Sequence, residues 1–306
     1  MNFPAFYRPE RVGRLYAPDV NAAVAAGRAA DLSLANAPLR TILLLVDMQV
    51  DFVHADGSLS VPGAVEDTRR LIEWIFRTLP RLTTIAASLD SHLPISIFFP
   101  TWWVDQNGQH PQPYTVIRSA DVTSGRWQPL YEVEWSREYT EKLEAGARKE
   151  LMIWPYHTLI GTSGHALTPA LYEAIAYHSA AHQTQPILLE KGTIAKTEYY
   201  SIVEPEVKIA DDPHGNLNTA FLDTLATYDR VYVAGEAKSH CVLETVTSIM
   251  RYFADQPAVI DKFRVLKDCM SSVAHPTIDF DALADQAFAS YARKGLQMVT
   301  SSDPIR

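Results

Sequence analysis

An α/β fold, doubly wound around a mostly parallel sheet, is predicted by three observations. Short apolar runs alternate with helical patterns along most of the chain. The first run, Thr41–Val46, is apolar almost throughout, as a strand covered on both faces must be. The stretches between runs include helical patterns of ten or more residues, long enough for right-handed βαβ crossovers.

Taken in order, Thr41–Val46 opens the sheet. Residues 62–76 follow as a helix, with Val65, Leu71, Ile72 and Ile75 near helical spacing. Residues 83–89 read as the second strand and 151–154 as a third, short one. A helix is expected over 167–181, a strand over 186–190 and another over 230–234. Residues 241–253 read as a helix, 262–266 as a strand, 279–293 as a helix and 296–300 as the last strand. Two segments stand outside this alternation. Residues 1–39 precede the first strand and hold an Ala-rich stretch, 20–34, expected to be helical. Residues 100–150 hold Trp102 and Trp103, several prolines and a polar helical pattern over 137–150. With no repeat and no linker, the expected organisation is one domain over 1–306, carrying an N-terminal extension (1–39) and an insertion (100–150) that is a candidate lid. Trp102, Trp103, Trp127 and Trp135 are expected to form a small satellite core over that insertion.

Composition narrows the function. The chain has 27 basic against 36 acidic residues and a net charge of −9, without a Lys/Arg cluster, which argues against a nucleic-acid or anionic-membrane partner. Two cysteines, Cys241 and Cys269, exclude a disulfide scaffold and any four-cysteine metal site, and fit a reducing compartment. The start of the chain carries Pro4, Arg8, Glu10 and Arg11 where a secretory signal needs an apolar stretch. The longest apolar run is far below the ~20 residues that span a membrane. The expected location is the cytoplasm.

Ligands of open α/β sheets bind beyond the carboxyl ends of the strands. The predicted strand ends carry Asp47 and Asp51, then Asp90 and His92, then His157, then Lys191, and finally the segment 234–241 ending in Cys241. Cys241 falls at a predicted helix start, where backbone N–H groups favour thiolate, and a nearby lysine such as Lys191 would lower its pKa further. Asp47 could then serve as general base and general acid. The plain alternative is a small buried cysteine, the reading given to Cys269. Asp90, His92 and His157 have the donor set of a three-ligand metal site, and residues two apart in extended chain point the same way. The alternative there is a hydrogen-bonded pair on a loop.

As a set, Asp47-x-Gln-x-Asp-Phe52, Asp90-x-His92, Trp154-Pro-x-His157, Glu-Lys191-Gly and Gly235-x-Ala-x-x-x-Cys241-Val resemble the isochorismatase-like cysteine hydrolases, and among these the nicotinamidase (pyrazinamidase) branch. The resemblance spans roughly residues 40–100 and 150–300. It implies a three-layer α/β/α fold with a six-stranded sheet. Asp47, Lys191 and Cys241 match the catalytic triad. Asp90, His92 and His157 match the ligands of one divalent metal, commonly zinc, with iron or manganese as alternatives. Phe52 and Trp154 match the aromatic pair that sandwiches a pyridine ring. Ala237 and Cys241 match the backbone donors of the oxyanion hole, with a cis peptide at Glu236–Ala237. The implied partner is a small amide, converted by nicotinamidases from nicotinamide to nicotinate and ammonia through a thioester; a homo-oligomer is compatible with the family.

The match has departures. Ser91 stands between two metal-type ligands where the pattern often has Trp, and 158–165 and 236–240 are unusual. These favour a second reading, hydrolysis of another amide, carbamoyl or ureido compound. A third is a scaffold that keeps the fold without the chemistry. Gln49 reads as structural support and Asp51 as a loop cap. His54, His165 and His240 are candidate pocket residues or loop histidines, and His110 reads as a surface histidine.

Overall fold

The computed structural model describes residues 3–30, 32, 39–147 and 149–305. Its centre is a six-stranded sheet that runs, edge to edge, through Gln297–Val299, Phe263–Leu266, Arg230–Gly235, Thr41–Val46, Thr84–Asp90 and Ile187–Lys191, every pairing parallel. The strands are β1 (Thr41–Val46), β2 (Thr84–Asp90), β7 (Ile187–Lys191), β8 (Arg230–Gly235), β9 (Phe263–Leu266) and β10 (Gln297–Val299). Between β2 and β7 lie two small antiparallel pairs: β3 (Trp103–Val104) with β5 (Gln128–Pro129), and β4 (Val116–Ile117) with β6 (Leu151–Met152).

The apolar run of β1 is buried at all six positions, and its side chains divide by parity. Leu43 and Leu45 join the core under the helices Ala64–Thr78 and Pro169–His182, while Ile42, Leu44 and Val46 join the core under Thr219–Ala226, Leu243–Tyr252 and Phe280–Ala292. This is the three-layer arrangement expected. The chain runs outward from β1 to β2 and β7, then returns to β8 on the other side of β1. The switch point therefore lies between β1 and β8, and the crevice beyond their carboxyl ends is the place for a ligand. Gly235 allows the close approach there: its φ is +131°, and a Cβ would lie 2.1 Å from the Val46 carbonyl oxygen.

Several expectations need correction. Residues 151–154 are not a strand of the central sheet. Only Leu151–Met152 is extended, and it pairs with β4 of the insertion, so His157 arrives on a loop. Cys241 does not open an α-helix but lies within a π-helical turn, Lys238–Val242, that leads into Leu243–Tyr252. The Ala-rich helix ends at Arg28, and much of its expected continuation to 34 lies outside the described residues. The polar helix of the insertion starts earlier, at Val133, and gives way at Leu143 to a π-turn, Leu143–Ala147. The helix Thr219–Ala226, capped by Asn218, falls where no element was expected. The tryptophans form no separate satellite: Trp102 and Trp103 are buried in the main core, with Trp127 and Trp135 packed against it.

Candidate active site

Beyond the β1–β8 switch point the proposed nucleophile, base and ammonium meet. Lys191, the last residue of β7, places Nζ 3.0 Å from Asp47 Oδ2, 2.8 Å from Asp90 Oδ1 and 3.7 Å from Cys241 Sγ. The Tyr199 carbonyl accepts a further hydrogen bond from it at 2.7 Å. All four side chains are buried. Asp47 follows β1 with φ +46°, and its Oδ1 accepts from Ser88 Oγ at 2.6 Å.

One cation thus sits between two carboxylates in a dry site. Burial by itself would lower Lys191, but Asp47 and Asp90 hold it well above the ordinary lysine range. Cys241 is subject to opposing effects. Burial pushes its thiol well above the ordinary value, and Asp47 and Asp90 add to the rise against the opposing effect of Lys191. Burial also raises Asp47, which suits a group that must accept a proton.

The metal-type residues form a second cluster against the first. One donor atom from each of Asp90, His92 and His157 lies within 4.8 Å of the others, and all three residues are buried. Asp90 Oδ2 is 2.9 Å from His92 Nε2 and 3.5 Å from His157 Nε2. Each imidazole has its Nδ1 on a main-chain carbonyl: His92 on Gly192 at 2.9 Å and His157 on Pro155 at 2.8 Å. That arrangement turns both Nε2 atoms toward Asp90, the orientation metal-binding histidines take from their outer partners. The donor set fits a divalent cation. Gly192 makes room, since a Cβ there would lie 2.6 Å from the His92 ring.

Gln49 braces the cluster. Its amide donates to the Asp90 carbonyl and accepts from the Asp90 N–H, both at 2.8 Å, and donates also to the His165 carbonyl. Asp51 closes the loop before His157's neighbour, accepting from Thr158 N at 2.7 Å and from Ser58 N at 3.2 Å. The remaining histidines divide. His240 lines the pocket. His165 bonds Ser91 Oγ and His54 bonds Thr168 Oγ1, while His110 lies exposed on the main-chain oxygens of Pro100 and Trp103.

Phe52 and Trp154 both line the cavity over Cys241, as do Ala237 and Tyr200. The Glu236–Ala237 peptide is cis. The cavity holds about 30 Å³, the room of roughly one water molecule. Several lining residues escaped the sequence reading, Tyr199, Tyr200 and Glu198 among them. Glu198 is buried beside the metal-type cluster, raised to about 8 by burial, and its Oε2 accepts from Trp154 Nε1 at 3.2 Å. It lies on an irregular segment between β7 and the next helix, where no periodicity marks a site.

No protein-family profile and no curated relative matches the chain. Solved structures do. A nicotinamidase/pyrazinamidase of Acinetobacter baumanii aligns over 88% of this chain and 99% of its own, at 19% identity and a TM-score of 0.57. The yeast nicotinamidase bound to the inhibitor nicotinaldehyde aligns over 85% and 99%, also at 19% identity and 0.57. A protein from L. infantum in complex with nicotinate aligns over 86% and 94%, at 21% identity and 0.52. At these identities the likeness is one of fold. The chain shares the three-layer α/β/α fold of these solved structures.

Proposed function

We propose that this protein is a metal-assisted cysteine amidohydrolase, with nicotinamide as the first substrate to test. The observation that carries the reading is the Lys191 ammonium, 3.0 Å from Asp47 and 3.7 Å from the Cys241 sulfur at the switch point of the sheet. Asp47 takes the thiol proton as Cys241 sulfur attacks the amide carbonyl. Lys191 holds the thiolate and the carboxylate in register. The backbone N–H groups of Ala237 and Cys241 receive the oxyanion, each such donor contributing ~2.7–4 kcal/mol in comparable sites. Asp47 then protonates the leaving nitrogen and ammonia departs. Water, deprotonated by Asp47, cleaves the thioester, releasing the acid and restoring the thiol. A divalent cation held by Asp90, His92 and His157, zinc first and iron or manganese after it, would supply an electrophilic anchor for a heteroatom of the substrate.

The test is ammonia release from nicotinamide and pyrazinamide by protein loaded with zinc, iron or manganese. Turnover is expected, and Cys241→Ser should lower it by about 10³-fold or more without changing the unfolding temperature. No ammonia from either amide with any of the three metals would sink the nicotinamidase reading. A second reading, cleavage of another amide, carbamoyl or ureido compound, is favoured by the narrowness of the cavity over Cys241, about 30 Å³.

A further inference from the structure

A larger space adjoins the cavity over Cys241. It measures about 240 Å³, and Trp154, Glu198, Tyr200 and His240 face both spaces. These four side chains are the partition between them. Three of its members are tied together, since Trp154 Nε1 donates to Glu198 Oε2 at 3.2 Å and to the Tyr200 hydroxyl at 3.1 Å. His240 is held differently. Its Nδ1 pairs with Ser239 Oγ at 2.8 Å, and its ring packs between Trp154, Tyr200 and Phe280 with centroids 5.5, 5.6 and 4.8 Å away. It also directly precedes the proposed nucleophile.

The walls of the outer space come largely from the insertion and the strand that follows it. Val116 and Leu143 belong to residues 100–150, and Met152 to β6; Ile278 and Phe280 close the other side. These side chains are apolar. Lys149 is present, but Glu206 at 2.8 Å and Glu244 at 2.6 Å already neutralise it, and its ammonium sits 5.0 Å from the Tyr200 ring centre. The carboxyl groups at the wall are those of Glu150, Glu198 and Glu244. Among the described residues at the wall no cation is left unneutralised, whereas an uncharged apolar ligand would bury its surface against five apolar side chains.

We propose that the outer space is a subsite of the amidase site, built by the insertion, and that the substrate is an uncharged amide whose acyl group extends past His240 into it. This rests on the amidase reading above. The scissile carboxamide lies at Cys241, and the body of the acyl group lies among Val116, Met152 and Phe280. Rotation of the His240 ring joins the two spaces. Burial holds His240 down to about 3, so the ring moves as a neutral group.

The experiment compares nicotinamide with benzamides carrying a phenyl group at the meta or para position, using the full chain loaded with metal. The phenyl amides should exceed nicotinamide at least tenfold in kcat/KM, and the same compounds with carboxylate in place of phenyl should lose that gain. Val116→Trp and Ile278→Trp, at a half-buried and an exposed position, fill the outer space from opposite sides. Either should lower the ratio of phenyl amide to nicotinamide turnover at least tenfold. A preference for nicotinamide, or a fall in both rates alike, overturns the subsite and makes the space a mere access route. If no amide releases ammonia, the amidase reading fails, and the subsite is judged by titrating the phenyl amides into Cys241→Ala protein. Binding weakened tenfold by Ile278→Trp sustains it; absence of binding, or binding indifferent to that change, overturns it.

Discussion

The two sides of the site are built on different principles. On the β1–β8 side, Asp47 directly follows β1 and Cys241 sits in the π-helical turn that follows β8, and Gly235 lets those strands approach closely. On the β2 side and beyond, His157, Trp154 and Glu198 stand on irregular chain held by scattered bonds: Thr158 to Asp51, Trp154 to Glu198, Glu198 N to the Tyr139 hydroxyl. The first side draws its precision from sheet register. The second draws it from side chains that reach across long sequence separations. Lys191 belongs to both, since it touches Asp47 and Asp90 together.

Lys191→Met tests that shared position most severely. It leaves two buried carboxylates facing each other without their cation, and should lower unfolding stability by about 3–5 kcal/mol. Denaturant titration near neutral pH measures this, and a loss under 1 kcal/mol would show that the two sides do not depend on a common ion. A control far from the site comes from His178, on the helix Pro169–His182. Burial lowers it to about 4, and its Nε2 lies 2.8 Å from the Leu82 carbonyl. The unfolded chain takes up this proton first, so the contribution is complete above about pH 6.5 and fades as pH falls toward 4. The expected loss is roughly 3 kcal/mol over that interval, and His178→Gln should flatten the slope in a series of unfolding curves.

The next effect is on the metal-type cluster. Gln49→Leu removes the brace on Asp90 and should weaken metal binding or activity about 10- to 100-fold. Competition against a chromogenic chelator reads the affinity; an unchanged value would mean that β2 alone fixes Asp90. The smallest effect belongs to the insertion. Trp102 Nε1 donates to Ser136 Oγ at 2.9 Å, and Trp102→Phe should cost about 1–2 kcal/mol through one lost bond. A cost above 3 kcal/mol would place the insertion on the same footing as the sheet.

Legibility in the sequence follows the same division. The β1, β2, β8 and β9 strands could be read because a strand buried on both faces must be apolar along its length, and their ends delivered Asp47, Asp90 and Cys241 to one edge. His157 was found by its motif, but the strand thought to carry it was not part of the sheet. Glu198 left no mark, since a single acid on irregular chain resembles a surface residue until its burial is known. The surroundings of Cys241 were half legible for the same reason: Lys191 could be guessed as a neighbour, but not the burial and the two carboxylates that act against it. No helix among the described residues is long and apolar enough to cross a membrane.

The Gln49 amide accepts from the N–H and donates to the C=O of the same residue, Asp90. A neighbouring strand pairs a residue by offering it one acceptor and one donor in just this way. The side chain therefore acts as one further rung of the ladder, at a level where β1 itself has already ended. On its β1 side, where the backbone pairing ends at Leu45 and Ala87, the last residue of β2 is thus still held, and it carries the carboxylate shared by Lys191, His92 and His157. Glutamate at position 49 would bring two acceptors and no donor, and asparagine would fall a methylene short. The rung needs glutamine.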